Sequence, residues 1–113
     1  MAISMEQLEA FVAAAEHGSF SAAARVLRKA QSAVSTHVAN LEADLGLSLF
    51  SRAGRHPALT AAGQRLLPEA KVILDRREHL IGVAASFEAH VETRLAVAID
   101  ELYPERALGA LFA

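Results

Sequence analysis

The sequence predicts a mainly α-helical fold in which three short helices and a two-stranded β hairpin precede one long helix. Helix-start and helix-stop residues divide the first part of the chain into three short segments, each with apolar residues at helical spacing. A turn-rich stretch between two short apolar runs follows, and a seven-residue apolar repeat continues beyond it. With 113 residues, 53% of them hydrophobic and 21% charged, the chain has the composition of a globular protein.

The first two helices are defined by their capping residues. Ser4 and Gln7 have the spacing of a capping box, so the first helix is predicted to start after Ser4. Its apolar stripe consists of Leu8, Phe11, Val12 and Ala15. Gly18 is suited to the left-handed residue that ends a helix, and Ser19 is suited to cap the next one. The second stripe consists of Phe20, Ala23, Ala24 and Leu27, and we expect the break at Lys29 and Ala30.

The third helix is predicted from about Gln31 to Leu45, and Gly46 is its natural stop. Ala30 offers it no side-chain cap. One edge is apolar and consists of Val34, Val38, Leu41 and Leu45. The other side is small, polar and uncharged and consists of Ser32, Thr36, Ala39 and Asn40. Short donors and acceptors of this kind are suited to base edges and phosphates.

A small hairpin is predicted directly after the third helix. Leu47, Leu49 and Phe50 suggest a short strand, "AGRHP" is a turn signal, and residues 58–60 return. Three helices, the second and third joined by a tight turn, followed by a hairpin are the plan of a winged helix-turn-helix. In that fold the second helix of the pair enters the major groove of DNA.

A long helix is predicted from Thr60 to about Glu88, with Pro68 either kinking it or marking a start. Its apolar repeat has the 4-3 spacing of a heptad seam and is interrupted once, by Arg77. The seam consists of Leu66, Ala70, Ile73, Arg77, Leu80, Ala84 and Phe87. A parallel line consists of Leu67, Leu74 and Ile81. A helix of this length has too much apolar surface to stand alone, so we expect the seam to form a dimer. The alternative is that it packs against the first domain.

The pattern changes after residue 90. The run "RLAVAID" is rich in strand formers, and "PERALGALFA" suggests a helix that starts at Pro104. We therefore expect three regions. They are a winged helix-turn-helix domain at 1–60, a linker and dimerisation helix at 61–90, and the start of an α/β domain at 91–113.

The charge distribution favours nucleic acid weakly. The formal net charge is −2, but residues 20–60 contain five basic side chains against two acidic ones, whereas residues 91–113 contain two against four. There is no cysteine, which excludes a disulfide framework and a thiolate metal site. The N-terminus lacks the basic region of a secretory signal, and no apolar run is long enough to cross a bilayer.

The sequence resembles the N-terminal domain of LysR-type transcriptional regulators. The stretches that carry the resemblance are "LEAFVAAAEHGSFSAAARVL", "QSAVSTHVANLEADLGLSLFSR" and "LTAAGQRLLPEA", and "TRLAVAID" is similar to the family's first effector-domain strand. The resemblance implies a cytoplasmic regulator that binds double-stranded DNA as a homodimer through the linker helix, with a tetramer left open at full length. A small-molecule effector is expected only in the full-length protein, and no cofactor or metal is expected.

The resemblance also implies which residues contact DNA. Those that match the family's groove-facing positions, or lie beside them, are Gln31, Ser32, Ser35, Thr36 and Asn40. Arg52 matches a phosphate contact, and Arg55 lies in the hairpin turn, within reach of the minor groove. The family is often basic where this chain has Thr36, Ala39 and Asn40. Affinity is therefore expected to depend more on the hairpin, and the preferred base sequence to be unusual.

Two other classes of function remain for comparison. The five histidines and many carboxylates invite a catalytic or metal-binding interpretation, but no metalloprotease, serine hydrolase or phosphate-loop motif is present, so no enzyme is expected. The stronger alternative is a winged-helix module used for protein-protein assembly, because the third helix lacks basic residues.

Overall fold

The computed structural model describes residues 2–97, and their side chains as far as residue 89. The predicted fold class, mainly helical with a two-stranded hairpin and a long final helix, is confirmed. The elements in chain order are α1 (Met5–His17), α2 (Phe20–Leu27), α3 (Gln31–Leu45), β1 (Phe50–Ser51), β2 (Ala58–Leu59) and α4 (Ala61–Val97).

The predicted caps set the limits of the first two helices. Ser4 Oγ accepts a hydrogen bond from the Gln7 amide at 3.2 Å, and Gln7 Oε1 accepts one from the Ser4 amide at 2.9 Å. Gly18 ends α1 in the left-handed conformation, with φ of 80°. Ser19 Oγ then accepts from the Ala22 amide at 3.0 Å. Each of these contacts satisfies a backbone group that a helix end leaves unpaired.

The turn between α2 and α3 is tight. Arg28 has φ of 56°, the only non-glycine residue with positive φ among those described. The Lys29 amide donates to the Ala24 carbonyl at 3.0 Å, which closes the end of α2. Ala30 then begins α3 without a side-chain cap, as predicted. This short turn sets the direction of α3 relative to α2.

A single apolar core holds the three helices and the hairpin together. Its buried members include Leu8, Phe11, Ala14, Ala23, Val34, Val38, Leu41, Leu49 and Phe50. The Phe50 ring meets the rings of Phe11 and Phe20 edge-to-face, with centroids 5.8 and 5.7 Å apart. Such pairs are favourable beyond the area that they bury. Because Val34, Val38 and Leu41 face this core, the opposite side of α3 faces outward.

The hairpin is antiparallel, and Phe50 pairs with Leu59. The start of α4 is fastened to it by Thr60. The Thr60 hydroxyl donates to the Ser48 carbonyl at 2.6 Å and accepts from the Gly63 amide at 3.0 Å. The Thr60 amide donates to the Leu49 carbonyl at 3.0 Å. The hairpin and the first turn of α4 are therefore positioned together.

The chain divides into two compact units, Met1–Leu74 and Asp75–Ala113. The first unit includes the beginning of α4, so its limit lies beyond the predicted domain end at residue 60. The reason is packing, since several side chains from this part of α4 lie in or against the core. They are Leu66, Leu67, Ala70 and Leu74. Lys71 Nζ also lies 2.8 Å from Glu16 Oε2 of α1.

Helix α4 agrees with the prediction at its start and differs from it at its end. It starts at Ala61, so Pro68 lies inside it and does not mark a start. It continues to Val97, and the first four residues of "RLAVAID" are therefore helical rather than a strand. An apolar run this short does not distinguish strand from helix by periodicity, and here the preceding helix continues through it. The helix predicted from Pro104, and the rest of 98–113, lie outside the described residues.

Across residues 2–97, no helix combines the length and the low polarity that a bilayer crossing requires.

Candidate nucleic-acid interface

The outward face of α3 carries the polar residues predicted to contact DNA. Gln31, Ser32, Thr36 and Asn40 are exposed, and Ser35 is half-buried. No side-chain hydrogen bond or ion pair occupies any of the five within the part of the chain whose side chains are described. Their donors and acceptors are thus available to a partner. These side chains face outward because the opposite edge of the same helix is buried in the core.

This face of α3 is uncharged. The helix contains no lysine or arginine, and its two acidic residues, Glu42 and Asp44, lie near its C-terminal end, half-buried. Amides and hydroxyls both donate and accept, and so they can match base edges in the major groove without a cation. The arrangement favours discrimination between bases over attraction to phosphate.

Arg52 directly follows β1 and supplies a cation beside this face. Its Nη2 is 3.8 Å from Glu42 Oε1 of α3, and its Cζ is 5.0 Å from the centroid of the Phe20 ring of α2. The side chain remains 49% exposed. A guanidinium has five donors, so these two contacts leave it able to bind an oxyanion.

Arg55 occupies the loop between β1 and β2 and is exposed. No ion pair engages it within residues 2–89. Arg28, in the turn before α3, is likewise exposed, whereas Lys29 lies 3.4 Å from Glu6 Oε2. The cations available around α3 are therefore on its flanks, in the hairpin and in the preceding turn.

The structure adds Glu42 and Phe20 to the predicted site. Phe20 was expected to be a core residue only, and Glu42 lay within a stretch that carried the family resemblance but was given no role. Both side chains lie close to Arg52, which is at least ten positions away from each of them along the chain. Local patterns do not report contacts of this range. The available signal was weak: Glu42 is a carboxylate next to the buried Leu41, where a charge needs a partner.

In the structure some residues of the predicted dimerisation seam are buried and others are exposed. Ala70 is 4% exposed in the core of the first unit, and Leu66 is partly buried and packs against that core, so these two residues pack within their own subunit. Arg77 is half-buried and contacts Glu78, with 3.1 Å between Nη2 and Oε2. The remaining members, Ile73, Leu80, Ala84 and Phe87, are exposed. A regular apolar repeat identifies a line on a helix, but it does not tell which part the chain itself covers.

Within the part of the chain that was searched, no three His, Asp or Glu side chains come together in a group that could hold a metal ion.

Comparison with known proteins gives consistent matches. Residues 5–64 match the family model described as bacterial regulatory helix-turn-helix protein, lysR family. The HTH-type transcriptional regulator AceR of Acinetobacter baumannii is 51% identical over 81 residues, which are 72% of this chain and 25% of AceR. The match therefore spans about a quarter of that relative's length.

Solved structures agree with the fold. A structure of Corynebacterium glutamicum OxyR, a C206S mutant bound to hydrogen peroxide, has a TM-score of 0.73 and 35% identity. It covers 78% of this chain and 27% of the OxyR chain. The BenM DNA-binding domain in complex with benA site 1 DNA has a TM-score of 0.69 and 30% identity. That match covers 73% of this chain and 95% of the BenM domain.

Proposed function

Because the chain belongs to the lysR family of bacterial regulatory helix-turn-helix proteins, we propose that it binds duplex DNA sequence-specifically and regulates transcription. Helix α3 enters the major groove, and the hairpin contacts the flanking backbone. The observation that carries the proposal is the outward face of α3, polar and without internal partners, beside the exposed Arg52. The similarity to the BenM DNA-binding domain, whose crystal structure is that of a DNA complex, supports the proposal.

The polar residues of α3 are proposed to read bases. Gln31 and Asn40 carry amides, which suit the paired donor and acceptor of adenine. Ser32, Ser35 and Thr36 carry hydroxyls, which can contact either base edges or phosphates. These assignments follow from the exposure and chemistry of the five side chains.

The two hairpin arginines are proposed to bind the DNA backbone. Arg52, held beside α3, contacts a phosphate, and Arg55 at the hairpin loop reaches into the minor groove. Contacts of this kind fix position on the duplex and carry little base information by themselves. In the proposed complex the hairpin arginines therefore supply the attraction to the DNA backbone, and the uncharged face of α3 supplies the recognition of bases.

We also propose a homodimer formed through the exposed apolar residues of α4, with Ile73 and Leu80 at its centre. One recognition helix covers few base pairs, whereas two engage half-sites about one helical turn apart or a multiple of it. A cytoplasmic location follows from the proposed DNA target. Response to a small molecule, and a tetramer, are proposals for the full-length protein.

The first prediction concerns salt. If the hairpin neutralises several phosphates, the logarithm of the binding constant should fall by about 0.9 per phosphate for each unit of log[salt], and we expect a total slope of roughly −3 to −6 per dimer. Arg52→Ala should weaken binding to all sequences and flatten the slope by about one per subunit. Fluorescence anisotropy with labelled duplex at several salt concentrations measures both. An intact non-specific affinity in Arg52→Ala would contradict the phosphate role.

The second prediction concerns base reading. Gln31→Ala and Thr36→Ala should change which bases are preferred, by about 1–3 kcal/mol for a direct contact. Their affinity for unselected DNA should be unchanged, because neither residue carries charge. In vitro selection of sequences with each variant, compared with Arg52→Ala as the control that retains the wild-type preference, measures this. Identical selected sequences for all four proteins would remove α3 from the groove.

The alternative of an assembly module without DNA binding makes an opposite prediction for the same titration. A slope near zero, or no binding of duplex at low salt, would favour it. Nothing in the comparisons supports it, and the exposed hairpin arginines are not needed by it.

A further inference from the structure

Glu42 binds the segment that leads from α3 to the hairpin at several points. Its backbone carbonyl accepts from the amides of Gly46 at 2.8 Å and Leu47 at 3.1 Å. Its carboxylate Oε2 accepts from the amides of Leu49 at 2.8 Å and Phe50 at 3.2 Å. One residue of α3 thus satisfies four backbone donors of that segment. The carboxylate is only 16% exposed, and these bonds fix its orientation.

The second carboxylate oxygen is directed at Arg52. Oε1 lies 3.8 Å from Arg52 Nη2, and the Phe20 ring lies against the same guanidinium at 5.0 Å. Arg52 is therefore approached by α3 and by α2 together, while about half of its side chain remains exposed. A long side chain that is free in solution loses rotamer freedom when it binds. One that is already held loses less.

We propose that Glu42 is a positioning residue for Arg52. It fixes the guanidinium beside α3 before DNA arrives, and the remaining donors of Arg52 are directed to a phosphate. This inference rests on the proposed DNA-binding function. It also couples the orientation of α3 to the point where the hairpin contacts the DNA backbone, because the same carboxylate of α3 binds both the start of β1 and the Arg52 cation.

The opposite effect, in which the carboxylate screens the cation and weakens its attraction for phosphate, would make Glu42→Gln bind DNA more tightly than wild type. A separation of 3.8 Å exceeds the range of a hydrogen bond, so Glu42 attracts the guanidinium while Arg52 keeps its donors uncommitted. The carboxylate also cannot swing closer, because Oε2 is bound to two amides of β1 and the residue before it.

Glu42→Gln tests the proposal, since the amide oxygen still accepts the backbone hydrogen bonds but the charge is removed. Binding of a labelled mixed-sequence duplex should weaken by about threefold to tenfold, the range expected when one long side chain loses its preorganisation. In the Arg52→Ala background the same substitution should have no further effect. Asp44→Asn is the matched control, because it removes the same charge from α3 at a residue that contacts Gln7 and not Arg52, and it should leave affinity within about twofold of wild type. Urea unfolding confirms that each variant is folded in the assay.

A second measurement needs no DNA. The ¹⁵N relaxation of Arg52 Nε in the free protein should show faster motion in Glu42→Gln than in wild type or Asp44→Asn. Tighter DNA binding by Glu42→Gln, an equal loss in the Arg52→Ala background, or unchanged Arg52 motion would each overturn the proposal. Failure of the wild-type protein to bind any duplex would instead refute the proposed function, while the relaxation result still decides whether Glu42 orders Arg52.

Discussion

Replacing Ile73 by glutamate should convert the protein from dimer to monomer and lower its affinity for a paired DNA site by roughly 10²-fold or more, because linked binding is lost. Ile73 is 44% exposed and Leu80 is 67% exposed, so neither is needed for the core of its own subunit. Burying each at a symmetric interface should contribute about 1.5–3 kcal/mol. A glutamate at this position would face an apolar surface and the same charge from the second subunit.

Val72→Glu is the control for this experiment. Val72 is 56% exposed and adjacent to Ile73, but it lies outside the seven-residue repeat, so the same charge should leave the dimer intact. Sedimentation velocity gives the oligomeric state, and titration with single and paired sites gives the affinities. Should Ile73→Glu remain dimeric and bind normally, the dimer contact lies elsewhere than on this face of α4.

Replacing Gly63 by alanine should lower the free energy of unfolding by about 2 kcal/mol. A Cβ at this position would collide with the carbonyl oxygen of Leu49 and lie 2.9 Å from Leu59 Cδ2. Overpacking costs about 1–3 kcal/mol, and the upper end applies where a backbone atom is struck. The gain of helix propensity from glycine to alanine, about 1 kcal/mol, offsets part of the loss.

Gly82→Ala measures the gain in helix propensity without the steric collision. Gly82 is also in α4, but a Cβ there would meet nothing within 4 Å. This variant should therefore be stabilised by about 0.5–1 kcal/mol. Urea unfolding at one fixed protein concentration compares the two, since a dimer's stability depends on concentration. Equal stabilisation by both substitutions would show that α4 and the hairpin are not packed as closely as described.

The features that the sequence predicted correctly are those that neighbouring residues decide. The capping box of Ser4 and Gln7, the stop at Gly18 and the cap at Ser19 each depend on contacts within one helical turn. The apolar edge of α3 follows from its periodicity, and so does the exposure of the opposite face. These are short-range rules, and they were enough to give the order of elements.

The features that escaped prediction depend on what lies across the fold. The repeat in α4 was regular from Leu66 to Phe87, but only the fold shows that Ala70 is buried and that Leu80 is exposed. The contacts of Glu42 with Leu49, Phe50 and Arg52 join residues seven to ten positions apart in the sequence. Whether the exposed residues of α3 and the hairpin contact DNA remains a proposal, tested by the variants above.

The absence of cations from α3 has a consequence for how the protein would search a genome. Residence on random DNA is governed by charge neutralisation at phosphates, which in the proposed complex involves the hairpin and not the recognition helix. Uncharged substitutions on the outward face of α3 would therefore redirect the protein to a different target without lengthening its stay at wrong sites. In the proposed complex separate elements of the fold control target preference and search speed, so the two could change independently over evolutionary time.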